Sequence, residues 1–200
     1  MPKTKEQYEA IKLQRKQEIL NGALYLFALN GYHATSSDSI TKYVGCSHGL
    51  LYHYFPTKEL LFDELFEGVI KTKHREIIKN IDFSEDPKFL VLDILDAYLN
   101  ALKNPDIQYA CVIYLVLNLH LQDRYIPSSN KLSETKELLE LVQKAIERGK
   151  ATGVFVSDNL DESKISIMAL LKGLAYTRIH SDIKKFKCPS SNLIARLILK

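Results

Sequence analysis

Apolar residues recur along most of this chain at intervals of three and four, the spacing that places side chains on one face of an α-helix. Tyr8, Ile11, Ile19, Ala23, Leu24 and Phe27 mark the first such stripe. Thr4 and Gln7 ahead of it have the spacing of a capping box, which predicts a helix start near Lys5. Asn30-Gly31 predicts its end, because glycine takes a left-handed conformation cheaply. A short helix follows from Ser36, a capping hydroxyl, to about Val44 before Gly45. Ser47 is placed to cap a third helix that ends near Phe55. Pro56-Thr57 then breaks the chain, Thr57 caps a fourth helix, and Glu59 complements its positive dipole end.

Beyond Asn80, stretches rich in proline, serine, asparagine and aspartate divide the chain into five further helices. They are predicted over 88–103, 106–122, 131–150, 161–183 and 190–199. Ile167, Leu170, Leu171 and Leu174 form one apolar stripe; Leu193, Ile194, Leu197 and Ile198 form another. Alternating valine- or threonine-rich runs are missing, and "VFVS" at 154–157 reads as loop. The pattern predicts an all-α protein of about nine helices.

Composition narrows the class. Of 200 residues, 46% are hydrophobic and 26% charged, which fits a folded globular chain and argues against disorder. The longest apolar run, Tyr109 to Leu121, is too short to span a bilayer, so no membrane partner is expected. The N-terminus lacks the apolar core of a signal peptide. Cys46, Cys111 and Cys188 are odd in number and far apart, so neither a disulfide frame nor a metal knuckle is expected, and a cytoplasmic setting is. The six histidines include no metal-protease spacing, and neither a nucleophile elbow nor a phosphate-cradling glycine loop is present. No catalytic residue, metal or cofactor is assigned, and an enzyme is not expected. A net charge of +3 does not by itself identify a polyanionic partner.

The segment 36–55 carries the sharper signal. A short helix, a tight turn at Gly45 and a second short helix have the spacing of a helix-turn-helix, whose second helix enters the DNA major groove. A side chain at Gly45 would crowd the paired helices, while Ile40, Val44 and Leu51 fall where they would pin both onto Leu24 and Phe27. Ser47, His48, Tyr52 and His53 occupy the other face, and Gly49 permits close approach to base edges. Tyr52 and Tyr54 can each carry a hydroxyl to a phosphate, and Lys58 at a helix start can attract one. From spacing alone, a helical corner with buried aromatics fits equally well.

The residues from Asn30 to Leu61 read "NGYHATSSDSITKYVGCSHGLLYHYFPTKELL". This resembles the N-terminal domain of TetR-family transcriptional regulators over Ile19 to Leu65, above all in the run G-x-L-Y-x-Y-F-x-x-K-E-x-L from Gly49. The resemblance implies a helix-turn-helix DNA-binding domain over 1–65 and a ligand-binding and dimerisation domain over 66–200. It assigns Ser36 and Ser37 to backbone phosphates, Ser47, His48 and Gly49 to base edges, Tyr52 and His53 to phosphate or thymine methyl, and Lys58 to the DNA backbone. Leu50 replaces a frequent threonine, and Asp38, acidic near phosphates, is better suited to stabilising its helix N-terminus. Lys3, Lys5, Lys12, Arg15 and Lys16 offer further phosphate contacts, although Glu6, Glu9 and Glu18 interleave with them.

For the larger domain the resemblance implies a homodimer on a palindromic operator of double-stranded DNA, released by an unidentified small-molecule effector. The stripes at 167–174 and 193–198 are the expected dimer interface. Phe89, Tyr98, Tyr109, Tyr114, Asn118 and Tyr176, with His120 and Met168, are candidate pocket residues. An apolar pocket with a few hydroxyl donors is expected, without a concentrated carboxylate set. Alternatives are an activator, a DNA-bound spatial regulator, or a co-regulator acting through protein contacts.

Overall fold

The computed structural model describes residues 4–82, 86–121, 143, 147–149, 151–154, 160–197 and 199. The predicted helix over 131–150 lies mostly outside them, as do most of "VFVS", Lys3, Ile198 and the side chain of His120. The described residues form nine α-helices and one π-helical turn.

Helix α1 (Lys5–Asn30) opens on the predicted capping box, with Thr4 and Gln7 bonded reciprocally. Gly31 closes it at φ 83°, ψ 159°, so the glycine is needed for its positive φ although the conformation is not left-handed helical. Helices α2 (Ser37–Val44), α3 (His48–Tyr54) and α4 (Lys58–Leu65) are capped by Ser36, Ser47 and Thr57. Each cap hydroxyl accepts the amide three residues on, at 3.1–3.2 Å. The π turn Phe66–Ile70 leads from α4 directly into α5 (Lys71–Ile78). Then follow α6 (Pro87–Lys103), α7 (Gln108–Leu121), α8 (Leu160–Ile179) and α9 (Ser191–Ala195). The last two are shorter than predicted: α8 stops at Ile179, where His180 to Ser190 form turns and extended chain.

Leu24, Phe27, Ile40, Leu51, Leu61 and Leu65 are fully buried where α1 to α4 meet. Burying each such side chain contributes roughly 1.5–3 kcal/mol, which is ample to fix three short helices against α1. The first turns of α1 stand clear of this core: Tyr8, Ile11 and Leu13 are exposed. Helix α1 also packs along α7, so the N-terminal helices are held by more than the α4 connection. Helix α7 packs in turn on α8, and α9 packs on α6. Arg178, buried in α8, binds the α6–α7 loop through the carbonyls of Asn104 and Pro105 at 3.4 Å.

Two glycines close the α1–α2–α3 arrangement for different reasons. Gly45 is left-handed at φ 70°, ψ 43°, and open space surrounds it, so its conformation and not the expected crowding selects glycine. Crowding falls on Gly22 instead: a Cβ there would lie 2.4 Å from Cγ2 of Val44 and 3.2 Å from the Tyr43 ring. That close approach lets Tyr43 stack on Tyr25 with ring centroids 5.3 Å apart.

Candidate nucleic-acid interface

The turn at Gly45 sets α3 across α2 so that one side of α3 is anchored and the other is free. Leu51 is buried and Leu50 half-buried, whereas Ser47, His48, Gly49, Tyr52 and His53 are exposed. Ser36 is exposed and Ser37 half-buried at the start of α2. The eight residues assigned to DNA thus lie at the caps and along α2 and α3 and at the start of α4.

The connection from α1 to α2 is fastened from inside. The Thr35 hydroxyl, buried, faces the carbonyls of Leu26 at 3.1 Å and Gly31 at 2.8 Å. Lys58 donates to the carbonyls of Tyr32 and Thr35, both at 3.1 Å, and its ammonium lies 4.4 Å from the centre of the Tyr32 ring. The Tyr32 hydroxyl donates to Glu59 at 3.2 Å. Hydrogen bonds from its own backbone amide and the Thr57 hydroxyl hold the Glu59 carboxyl below the usual range. Lys58 therefore positions the start of α2 with two of its three protons, where the sequence reading gave it to a phosphate. Its partners are 23 and 26 residues away, so no local pattern reveals them.

Tyr54 is corrected in the same way. Its hydroxyl donates to the Lys12 carbonyl at 3.2 Å, tying α3 to the projecting part of α1. Among the nearby cations, Arg15 pairs with Glu18 at 2.6 Å, and Lys16 pairs with Glu64. Lys5 and Lys12 remain exposed. Asp38 lies in the first turn of α2, as expected, and its carboxylate also meets His48 of α3 at 3.3 Å. Cys46 is half-buried, and burial pushes its thiol up.

The six candidate pocket residues are spread over α6, α7 and α8. A cleft of about 560 Å³ between α5, α6 and the start of α7 takes in only Tyr109 of the six. Its other polar lining includes Glu76, Asn80, Asp93, Asp96 and Asn100, so this cleft is carboxylate-rich. Asp93, Asp96 and Asn100 share a face of α6, a spacing legible in the sequence. Tyr109 donates to Glu76 at 2.6 Å, and that bond pushes its hydroxyl up to about 12. Tyr98 is buried against His74 at 2.7 Å, which makes it a core residue. Phe89 is exposed, and Tyr114 and Tyr176 meet across α7 and α8 with ring centroids 5.9 Å apart. Met168 is buried, and the Asn118 side-chain oxygen is buried with no hydrogen-bond partner among the described residues.

The expected dimer residues divide. Leu171 and Ile194 are buried within this chain and belong to its own core. Ile167, Leu170 and Leu174 are half-buried, while Leu193 and Leu197 are exposed, together with Ile165 and Tyr176.

Comparison with known proteins agrees with this geometry. Residues 19–65 match the family model for bacterial regulatory proteins of the tetR family. The HTH-type transcriptional regulator YxaF of Bacillus subtilis is 41% identical over 73 residues, covering 36% of this chain and 38% of that protein. The HTH-type transcriptional regulator LuxR of Vibrio harveyi is 25% identical over 186 residues, covering 92% of this chain and 86% of that protein. The crystal structure of AibR in complex with isovaleryl coenzyme A and operator DNA superposes with a TM-score of 0.62 at 14% identity, covering 91% of this chain and 94% of that one. Residues 19–65 thus carry the tetR-family pattern, and the chain shares its fold with solved TetR-family structures. Among the described residues, no helix is long and apolar enough to cross a membrane.

Proposed function

We propose that the chain is a dimeric, sequence-specific repressor whose grip on a palindromic operator is released by a small molecule. The observation that carries this reading is the α2–Gly45–α3 geometry, with Leu51 anchored and Ser47, His48, Gly49, Tyr52 and His53 exposed on one surface. In that reading residues 1–65 form the DNA-binding domain and 66–200 the ligand-binding and dimerisation domain. Ser36, Ser37 and Tyr52 bond phosphates, and the start of α3 meets base edges in the major groove. A two-fold pair places two such helices about 34–36 Å apart, one turn of DNA. The exposed Leu193, Leu197, Ile165 and Tyr176, flanked by half-buried Ile167, Leu170 and Leu174, supply the apolar area for a second copy.

A relative solved with both a coenzyme A thioester and operator DNA supports ligand control. Release requires an effector that binds one dimer geometry better than the other, typically by about 1–3 kcal/mol. Two paths lead from the body to the reading helices: the α4–π turn–α5 connection and the packing of α7 on α1.

The test is binding to a labelled mixed-sequence duplex over a series of salt concentrations. Affinity falls as salt rises, Tyr52→Phe weakens binding to every sequence, and His48→Ala weakens only the preferred ones. Equal affinity of all three proteins for every duplex contradicts the assigned surface.

A further inference from the structure

The contact between α2 and the first residue of α3 constrains what His48 presents to DNA. Its Nε2 lies 3.3 Å from Asp38 Oδ1 and 3.4 Å from Thr41 Oγ1. The Thr41 hydroxyl donates its own proton to the Asp38 carbonyl at 3.0 Å, so toward His48 it can only accept. A carboxylate oxygen also only accepts. Both neighbours therefore require a proton on Nε2, and in the neutral ring Nδ1 is left as a bare acceptor. Tyr52, one turn along α3, lies beside the ring with centroids 6.3 Å apart. The ring thus meets Asp38 and Thr41 from α2 and Tyr52 from its own helix, and Nδ1 has no partner among the described residues. Asp38 is too exposed, at 86%, for this pair to matter much to stability; its consequence is the direction of the imidazole.

We propose that Asp38 and Thr41 are positioning residues that hold His48 with Nε2–H turned into the protein, so that Nδ1 reads an exocyclic amine of adenine or cytosine. This rests on the DNA-reading assignment above and deepens it. In the major groove adenine N6 and cytosine N4 offer donors, whereas guanine offers only the acceptors N7 and O6. A neutral His48 held in this way accepts from adenine or cytosine and is mismatched against guanine.

The test starts from a site selected by the wild-type protein. The position read by His48 is the one whose preference His48→Ala erases. At that position the wild type prefers adenine or cytosine over guanine by roughly three- to tenfold, the worth of one hydrogen bond. Asp38→Ala flattens the same position and no other, while Asp38→Asn, which keeps an accepting oxygen, retains it. Asp38 lies outside the core, so thermal melting reports both variants folded. A site whose preference under His48 is unchanged in Asp38→Ala, or is guanine, overturns the proposal. A folded wild type that selects no DNA overturns the underlying DNA-reading assignment instead, so the two failures are distinct.

Discussion

The ammonium of Lys58 lies 3.1 Å from the carbonyl oxygen of Thr35, joining the first residue of α4 to the last turn before α2. With the matching bond to Tyr32, this contact fixes where α2 begins and hence where Ser36 and Ser37 stand. The charge is half-buried and its donors are satisfied by main chain, so its loss leaves two carbonyls without their partner. Lys58→Met is expected to cost about 1–3 kcal/mol, from the usual worth of hydrogen bonds to charged groups. It weakens specific and random DNA alike because α2 is loosened, but leaves the salt slope of binding unchanged. A slope reduced by one ion, with no change in melting temperature, would restore Lys58 to the phosphate backbone.

Gly22 and Gly45 make a paired prediction. Gly22→Val drives a branched side chain into Val44 and the Tyr43 ring, where a Cβ alone already meets Cγ2 at 2.4 Å. Overpacking of this kind costs roughly 1–3 kcal/mol, and here it also tilts α2 away from α1. Gly45→Ala meets open space and is penalised only for holding φ 70°, by about 1–2 kcal/mol. Urea melts of both variants check the costs. Gly22→Val also lowers DNA affinity more per unit of lost stability, because only it displaces a reading helix.

These two glycines show which parts of the fold the sequence discloses. The caps at Thr4, Ser36, Ser47 and Thr57 were legible because each bond closes within three residues. The anchoring of Ile40 and Leu51 was legible from helical period. The role of Gly22 was not, because its reason lies in Val44 on another helix. The Lys58 and Tyr54 contacts were hidden for the same reason: both act on main-chain carbonyls far away in sequence, and a carbonyl carries no residue identity. In the body, helical period marked the elements but could not separate the buried Leu171 and Ile194 from the exposed Leu193 and Leu197, because neighbouring positions on a short helix share the same residue type.

Burial pushes the Cys111 thiol from 9.0 up to about 12. The folded state thus keeps a proton that the unfolded chain releases, and stability is lost as pH rises from about 9 toward 12. Cys111 is therefore expected to resist thiol reagents at pH 8 in the folded protein and to react on unfolding. Cys111→Ala flattens the alkaline part of the stability curve while lowering stability at neutral pH through the cavity it leaves. Rapid labelling of Cys111 in the folded state would contradict its packing inside α7.

In the proposed dimer two copies of this chain read DNA through α3, and selection from random double-stranded DNA by the purified, ligand-free protein at moderate salt tests this. The predicted result is a palindrome whose two half-sites are centred about one helical turn apart, 10–10.5 base pairs, or a multiple of it. Recovery of no sequence above background from a folded dimer would contradict it and turn attention to protein partners of the larger body.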